Sequence, residues 1–523
     1  MQSAELAGLF AQPSAAFRGK PFWCWNGPLD RSELLRQIHV LRDMGMGGFF
    51  MHSRTGLATE YLGDEWFDLI NACADEAEKL GMEAWLYDED RWPSGTAGGM
   101  VTSEHRYRMK FLHLRVASCE ADVWRPETLA AFLCDLDGVA MRSCRRLPRP
   151  DGLASGVVGP PSAPGAEPLP VGEALLAFDV VEMAQSSFYN GYTYVDTLSR
   201  EATDRFIELT HEKYADRCGG RLGSSIKGIF TDEPHRGALM DPFGGAMDCP
   251  NQVPWTEQLP GAHLEAFGED LLDRLPELFL VPQGSRVSVV KWRYCELTLR
   301  LFLGNFLRPV DDWCRSHRVI LTGHVLHEDS LTAQTSMNGS MMRCYEAMEW
   351  PGIDLLTEGN RAYWVAKQLQ SAADQLGRPW RLSELYGCTG WQMPFAGHKA
   401  VGDWQALFGV NVRCQHLSWY TMEGEAKRDF PASIFGQSAW WRDYAVVEDY
   451  FSRLGVLLSA GRRACDTLVV HPVESVWAQV HQGWSNFLGP LDPHIADLDK
   501  RFAETFTWLQ SAQVDLTTAT RRL

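Results

Sequence analysis

Short apolar segments and amphipathic helical segments alternate along most of this chain of 523 residues. Residues 21–26 (PFWCWN) have the composition of a buried strand, and residues 30–44 carry leucine and isoleucine at helical spacing after Asp30 as the N-cap. The order recurs, with predicted strands at 21–26, 47–52, 83–88, 226–232, 319–325, 353–358, 379–385 and 414–421. Eight such units predict an α/β fold, a closed (β/α)8 TIM barrel whose active site lies at the C-terminal strand ends.

Two segments depart from this alternation. Residues 107–195 hold short alternating apolar runs around a Pro/Gly/Ala-rich stretch at 147–172, which predicts a β-rich insertion after the third strand with one flexible loop. A further α/β unit begins with a strand at 466–471 and a helix around 495–511. The predicted organisation is a catalytic barrel over 1–460 that contains the insertion at 107–195, followed by a partial α/β unit over 461–523. An open doubly wound sheet is the structural alternative, but the chain has no GxGxxG or GxxxxGK[ST] motif.

The acidic net charge bears on which binding partners are expected. Lys and Arg number 49 and Asp and Glu number 67, for a formal net charge of −18. Nucleic acids and anionic membrane surfaces need clustered positive charge, so neither is expected as a partner. The N-terminus lacks the pattern of a secretory signal, and the 13 cysteines are scattered without a CxxC pair. Reduced thiols and a cytoplasmic location are therefore expected.

Carboxylates follow several of the predicted strands. Asp232 and Glu233 follow strand four, Glu358 follows strand six, and Glu384 follows strand seven. Strands four and seven lie on opposite sides of a barrel mouth, so Glu233 and Glu384 can flank a sugar as the pair that glycoside hydrolysis requires. Taken alone, each glutamate is more often a helix-start charge or an ion-pair partner than a catalytic group. Together on these strands, Glu233, Glu384 and Glu358 are the candidate catalytic residues.

Aromatic and polar residues at the other strand ends are candidates for holding a sugar, through ring stacking and hydrogen bonds to its hydroxyl groups. The candidate substrate-binding residues are Trp25, Asn26, His52, Arg54, Asp88, Asp90, Trp92, Asp232, His324, His327, Tyr386 and Trp419. His324 and His327 are suitable metal ligands, but their spacing is not diagnostic. The sequence leaves the metal ligands unassigned, and a hard cation such as calcium suits the carboxylates better than a transition metal does.

An ordered set of motifs resembles glycoside hydrolase family 106, which is known for α-L-rhamnosidases. The motifs are PFWCWNGPLD, LRDMGMGGFFMHSRTGL, YDEDRWPSGTAGG, GIFTDEP, RLSELYG and DTLVVHPVESVWA, over roughly residues 20–480. The resemblance implies a (β/α)8 catalytic barrel, an inverting mechanism and an active-site calcium. Carried onto this chain, it implies Glu384 as the general acid, Glu233 as the general base and Glu358 as a third active-site carboxylate.

The arrangement also resembles, more distantly, the family 42 β-galactosidases. That resemblance implies a retaining mechanism, with Glu233 as acid/base and Glu384 as nucleophile. It also implies that the unit after the barrel is amidotransferase-like. The two resemblances therefore disagree on stereochemistry, which depends on a carboxyl separation of about 5–5.5 Å in retaining enzymes and about 6.5–9.5 Å in inverting enzymes.

The sequence therefore predicts a glycoside hydrolase, an exo-acting α-L-rhamnosidase acting on an oligosaccharide or a small glycoside. Three alternatives stay open. They are a retaining β-galactosidase-like glycosidase, a carbohydrate-binding barrel without hydrolytic activity, and a metal-dependent hydrolase centred on His324 and His327. Homo-oligomerisation is left open as well.

Overall fold

The computed structural model describes residues 3–153, 155–157, 159, 169–243 and 251–521. Part of the Pro/Gly/Ala-rich stretch predicted as a flexible loop, residues 154, 158 and 160–168, lies outside the described residues. Within them, no helix is long and apolar enough to cross a membrane.

The strands, in chain order, are β1 (Phe22–Gly27), β2 (Gly48–Leu57), β3 (Glu83–Tyr87), β4 (Lys110–Ala117), β5 (Thr128–Asp137), β6 (Ala140–Arg146), β7 (Val171–Glu182), β8 (Ile226–Asp232), β9 (Gln252–Trp255), β10 (Val281–Pro282), β11 (Ile320–His324), β12 (Trp350–Asp354), β13 (Leu382–Leu385), β14 (Val412–Gln415), β15 (Ser418–Trp419), β16 (Leu468–Val470), β17 (Ser485–Asn486), β18 (Gly489–Pro490) and β19 (Thr517–Ala519).

The α-helices are α1 (Ser3–Ala11), α2 (Arg31–Asp43), α3 (Asp64–Leu80), α4 (Arg200–Leu209), α5 (His211–Cys218), α6 (Leu259–Phe267), α7 (Leu275–Phe279), α8 (Val289–Phe302), α9 (Arg308–Ser316), α10 (Leu331–Met337), α11 (Met341–Cys344), α12 (Tyr363–Leu376), α13 (Phe395–Leu407), α14 (Ala445–Ser459), α15 (Val473–Trp477) and α16 (Pro493–Ser511).

The main sheet is a parallel barrel in the order β14-β13-β12-β11-β8-β3-β2-β1-β15. Its two ends, β14 and β15, are separated in the chain only by His416 and Leu417. β14 pairs with β13, and β15 pairs with β1, so one continuous segment completes the eighth strand position and closes the sheet. The predicted (β/α)8 barrel is confirmed.

Aromatic side chains fill the interior of the barrel. Phe22, Phe50, Trp85, Tyr87 and Phe230 are each at most 1% exposed and pack in one cluster. The rings of Phe22 and Phe230 lie 4.8 Å apart and those of Phe50 and Phe230 lie 5.2 Å apart, in edge-to-face contact. This cluster is a dry aromatic floor beneath the mouth of the barrel.

The same alternation places polar residues one layer above this floor. Side chains two positions apart on a strand share a face, so His52 lies on the same face as Phe50, and Asp232 lies on the same face as Phe230. Glu384 follows the buried Leu382 of β13 in the same way. The strand pattern therefore directs charged groups into the mouth.

The sixth barrel strand lies earlier in the chain than predicted. The sequence predicts it at 353–358, whereas β12 spans Trp350–Asp354. The buried residues of β12 begin at Trp350, which packs on Trp85 inside the barrel. Consequently Asp354, and not Glu358, ends the strand.

The predicted insertion forms a second sheet, in the order β10-β6-β5-β7-β4-β9. Strands β4 to β7 fall within residues 107–195 and pair antiparallel with one another. Strands β9 and β10 come from the chain after β8, so the sheet draws on residues beyond the predicted range.

The predicted C-terminal strand and helix are present as β16 and α16. β16 pairs in parallel with β19, and the unit packs on the barrel. The indole Nε1 of Trp477 donates to the carbonyl of Gly339 at 3.0 Å, and Trp484 Nε1 donates to the carbonyl of Leu239 at 3.0 Å. Lys367 of α12 adds an ion pair with Asp515 at 2.8 Å.

A buried histidine in this C-terminal unit makes stability sensitive to acid. The His471 ring lies against Phe502, and within the described chain neither ring nitrogen has a hydrogen-bond partner. Burial lowers the pKa of His471 to about 3, whereas the unfolded chain has the ordinary value of about 6.5. Because the unfolded state binds the proton first, this residue makes the folded state less stable as the pH falls from about 6.5 towards 3.

We therefore expect His471→Leu to be more stable than the wild type at about pH 5, by about 2 kcal/mol, with a smaller difference near pH 7.5. Urea denaturation at the two pH values measures this. His494→Gln is the matched control, because His494 belongs to the same unit and is exposed to solvent in the folded state. Identical pH dependence in the wild type and His471→Leu would contradict the prediction.

Candidate active site

Three side chains from the ends of three barrel strands meet at the mouth. Asp232 ends β8, His324 ends β11 and Glu384 lies in β13. His324 Nε2 lies 2.7 Å from Glu384 Oε2 and 3.5 Å from Asp232 Oδ1. One ligand atom from each of the three residues falls within 4.8 Å of the others. All three residues were predicted from the sequence, and the imidazole lies between the two carboxyl groups.

A second set shares the same histidine. Glu233, His324 and Asp354 also place one ligand atom each within 4.8 Å of one another. Glu233 has φ +51°, a region that non-glycine residues adopt at a cost, and its N–H donates to the carbonyl of His324 at 3.1 Å. This backbone bend directs the glutamate back into the mouth.

Asp354 is the residue that the sequence analysis missed. Because strand six was predicted to end at residue 358, Glu358 was predicted as the third carboxylate. Glu358 lies four residues beyond the end of β12 and is exposed. The signal was available in the spacing from Trp350 to Asp354, which puts both on one face of a strand. The third carboxylate of the cluster is thus Asp354.

Burial and mutual repulsion act on these carboxyl groups in the same direction. Burial raises the pKa of Glu384 well above its ordinary value, and the charge of Asp232 adds to the shift. Burial also raises the pKa of Glu233 and of Asp354 well above ordinary values, and neighbouring carboxylates contribute. Glu328, 3% exposed beside Asp354, has its pKa raised by burial as well. A raised pKa favours the protonated form of a carboxyl group, which is the form that an acid catalyst uses.

Hydrogen bonds to neighbouring strands and loops position Asp232. Tyr87 donates its hydroxyl hydrogen to Asp232 Oδ2 at 2.6 Å. The Asp232 N–H donates to Ser94 Oγ at 2.8 Å, and the Ser94 hydroxyl donates to Asp88 Oδ1 at 2.5 Å. The predicted ligand residue Asp88 is 1% exposed and is linked in this way to the strand end that carries Asp232.

Glu89 organises the loop after β3. Its two carboxylate oxygens accept backbone N–H hydrogens from Asp90, Gly95, Thr96, Ala97 and Gly98, at 2.5–3.0 Å. Burial raises the pKa of Glu89 to about 7, and these N–H groups oppose the shift. Asp90, a predicted ligand residue, accepts from Ser53 Oγ at 2.7 Å.

Arg54 forms a fixed corner of the mouth. Its guanidinium pairs bidentately with Asp429 at 2.9 and 3.0 Å, which holds the loop after β15 against β2. It lies 4.4 Å from the centroid of the Trp92 ring and 5.9 Å from that of Trp419. Burial, followed by the Arg54 charge, lowers the pKa of His52 well below its ordinary value, so this histidine is neutral at neutral pH.

The structure corrects the expected stacking role of the buried aromatic residues. Trp25 is 0% exposed and is wedged between Trp23 and Trp66, with centroids at 5.3 and 5.1 Å, because it points into the core behind the barrel wall. Trp419 is 1% exposed. Neither ring presents a free face to a sugar.

Two polar candidates are likewise engaged elsewhere. Both amide atoms of Asn26 bond the backbone of Thr421, at 3.0 and 3.1 Å, and so tie the end of β1 to the eighth strand position. The Tyr386 hydroxyl donates to the carbonyl of His398 on α13 at 3.1 Å. The polar atoms of these two residues therefore bond to the backbone of the protein.

His327 lies at the edge of the cluster. Its ring meets Phe243 edge-on, with centroids 4.4 Å apart, and its Nδ1 is 3.9 Å from Asp329. Within the described residues, the sets that could hold a metal include His324 but not His327. The geometry therefore gives no support to a metal centre built on both histidines.

The donor atoms of Glu233 and Asp354 suit a calcium ion. Calcium takes six to eight oxygen ligands at about 2.3–2.6 Å. Glu233 and Asp354 present carboxylate oxygens within 4.8 Å of each other, a separation that one such ion can bridge. Two carboxylates this close repel each other, and a cation between them relieves that repulsion. The pair fits calcium, with the remaining ligands to come from backbone, water or substrate oxygens.

Comparisons with known proteins agree with the fold. A rhamnosidase from Novosphingobium sp. PP1Y superposes with a TM-score of 0.59 at 14% identity, over 92% of this chain and 63% of that one. A β-galactosidase from Halorubrum lacusprofundi superposes with a TM-score of 0.51 at 13% identity, over 95% of this chain and 66% of that one. No protein-family model matches the chain.

One curated protein is similar in sequence. A protein of Formosa agariphila that is provisionally named a β-glucuronidase is 19% identical over 89% of this chain. This chain spans 42% of the length of that relative, and under two thirds of each of the two solved structures. At these identities, the similarity to the solved structures shows the shared barrel fold.

Proposed function

We propose that this chain is the catalytic barrel of a glycoside hydrolase that removes α-L-rhamnosyl groups from an oligosaccharide or a small glycoside. The observation that carries the proposal is the cluster of Asp232, Glu233, Asp354 and Glu384 around His324 at the mouth of a barrel, in which Asp232 and Glu384 are buried and the other two are half-buried. Glycoside hydrolysis needs one protonated and one ionised carboxyl group on either side of the scissile bond. Similarity to a rhamnosidase barrel and the ordered motifs in the sequence support the choice of sugar.

Within this proposal, Glu384 protonates the leaving oxygen and Glu233 activates water. Burial raises the pKa of Glu384, as an acid requires, and the hydrogen bond with His324 fixes one of its oxygens. Asp354 takes the place of the third carboxylate. Trp92, half-buried beside Arg54, offers a ring to the sugar, and Asp90 offers a carboxylate.

A retaining β-galactosidase-like reaction is the second candidate, supported by the similarity to the Halorubrum lacusprofundi barrel. In that reaction Glu384 would attack the anomeric carbon and Glu233 would serve as acid and base in turn. The two candidates differ in the anomeric form of the first product.

The proposed activity is tested with aryl glycosides. The panel contains an α-L-rhamnoside, a β-D-galactoside, an α-L-arabinoside and a β-D-glucuronide. We expect release of the aryl group from the rhamnoside, and NMR of the first-formed sugar is expected to show inversion. Cleavage of the galactoside alone, with retention, would replace the first candidate with the second. Sugar binding without cleavage of any member would contradict both and indicate a carbohydrate-binding barrel.

Substitutions distinguish the roles of the carboxylates. Glu384→Gln keeps the size and polarity of the side chain but removes its proton transfer, so we expect kcat to fall by about 10²–10⁴. Asp354→Asn is also expected to lower kcat, because it removes one charge from the cluster. The matched control is Glu358→Gln, an exposed residue for which near-wild-type turnover is expected. Loss of activity in the control with full activity in Asp354→Asn would reverse the assignment.

Calcium is proposed as the cofactor, held by Glu233 and Asp354. The bound ion would neutralise part of the buried charge and offer coordination to sugar hydroxyl groups. We expect EGTA to abolish activity and calcium, but not zinc, to restore it. Calorimetry of the chelated protein should show calcium binding that Asp354→Asn weakens at least about tenfold and Glu358→Gln leaves unchanged. Full activity after chelation, with no calcium heat, would refute the proposal.

A further inference from the structure

Two thiols face each other across neighbouring strands of the second sheet, away from the barrel mouth. Cys134 of β5 pairs in register with Cys144 of β6, so the two side chains lie on the same face of the sheet. Opposite residues of antiparallel strands have Cβ atoms about 4.5–5.5 Å apart, and a disulfide needs about 3.5–4.5 Å. A shift of about 1 Å would therefore allow a bond. Both cysteines are free thiols in the structure.

The two thiols differ in access to solvent. Cys144 is exposed, whereas Cys134 is 1% exposed. Strand β10 pairs with β6 only at Ala140 and Met141, so β6 beyond Met141 forms an outer edge of the sheet within the described residues. A dissolved reagent therefore meets Cys144 first.

The more exposed thiol, Cys144, also has the lower pKa. The hydrogen bond from Cys134 and the nearby charge of Arg274 lower the pKa of Cys144 to about 7, against the opposing effects of burial and Glu277. That hydrogen bond and burial raise the pKa of Cys134. Because the thiolate is the nucleophile, Cys144 is the attacking sulfur and Cys134 is the resolving sulfur.

We propose that Cys134 and Cys144 form a modification site, at which a small-molecule disulfide of the glutathione type oxidises the pair to an intrachain disulfide. The Cys144 thiolate attacks the reagent, which forms a mixed disulfide and expels one glutathione thiolate. The sulfur of Cys134 then attacks the Cys144 sulfur, and a second glutathione thiolate leaves as the Cys134 proton passes to solvent. Two protein thiols are oxidised and one glutathione disulfide is reduced to two thiols. This inference does not depend on the proposed function.

The test follows each cysteine by mass spectrometry after incubation with oxidised glutathione, alkylation of the remaining thiols and tryptic digestion without reductant. Arg142 lies between the two cysteines, so the disulfide joins two peptides. Cys119 and Cys134 share the peptide 116–142, because Pro126 blocks cleavage after Arg125. The experiment is therefore done with Cys119→Ser, a change at an exposed position. Cys388, exposed on the barrel, is the internal control.

We expect the peptide 143–145 to be linked to 116–142, and alkylation of Cys144 to fall at least about tenfold. Cys134→Ser removes the resolving thiol, so Cys144 should then accumulate as the glutathione mixed disulfide. Cys144→Ser should leave Cys134 unmodified. In each protein Cys388 should form only the mixed disulfide. Two results in the protein that has both thiols would overturn the proposal. In the first, Cys144 stays free. In the second, Cys144 stays a mixed disulfide while Cys134 stays reduced. Thermal denaturation confirms that each variant is folded.

Discussion

The aromatic floor of the barrel controls the chemistry of the groups above it. Phe22, Phe50, Tyr87 and Phe230 fill the interior, and the next inward positions of β2 and β8 place His52 and Asp232 against this apolar surface. Desolvation is the largest cause of the raised pKa of both Glu233 and Glu384. Water around these groups would remove much of that desolvation, so the packing of the floor contributes to their raised pKa values.

The loops around the mouth are held by charges that do not face a substrate. Glu89 gathers five backbone N–H groups and thereby shapes the loop after β3, while the pair of Arg54 and Asp429 attaches the loop after β15 to β2. Buried carboxylates and arginines of this kind are stable only when paired or hydrogen-bonded. Sequence reasoning identified Asp88, Asp90 and Arg54 as ligand residues; in the structure Asp88 accepts a hydrogen bond from Ser94, and Arg54 pairs with Asp429.

Local patterns predicted the barrel well because a strand and an amphipathic helix each have a period that the chain displays directly. The order of the motifs also placed Asp232, Glu233, His324 and Glu384 at strand ends, where the structure has them. Failures came where a boundary was ambiguous. An error of about three residues at strand six replaced the half-buried Asp354 with the exposed Glu358.

The sequence by itself determined the number of repeating units, the insertion of a second sheet and the acidic character of the strand ends, because these depend on spacing along one chain. Only the tertiary structure decided which groups meet. The contacts of His324 with Glu384 and Asp232, and of Arg54 with Asp429, join residues from distant segments. It also decided that Trp25 and Trp419 are buried in packed surroundings. Burial and distance belong to the closed barrel, and they convert a list of carboxylates into a site with shifted pKa values.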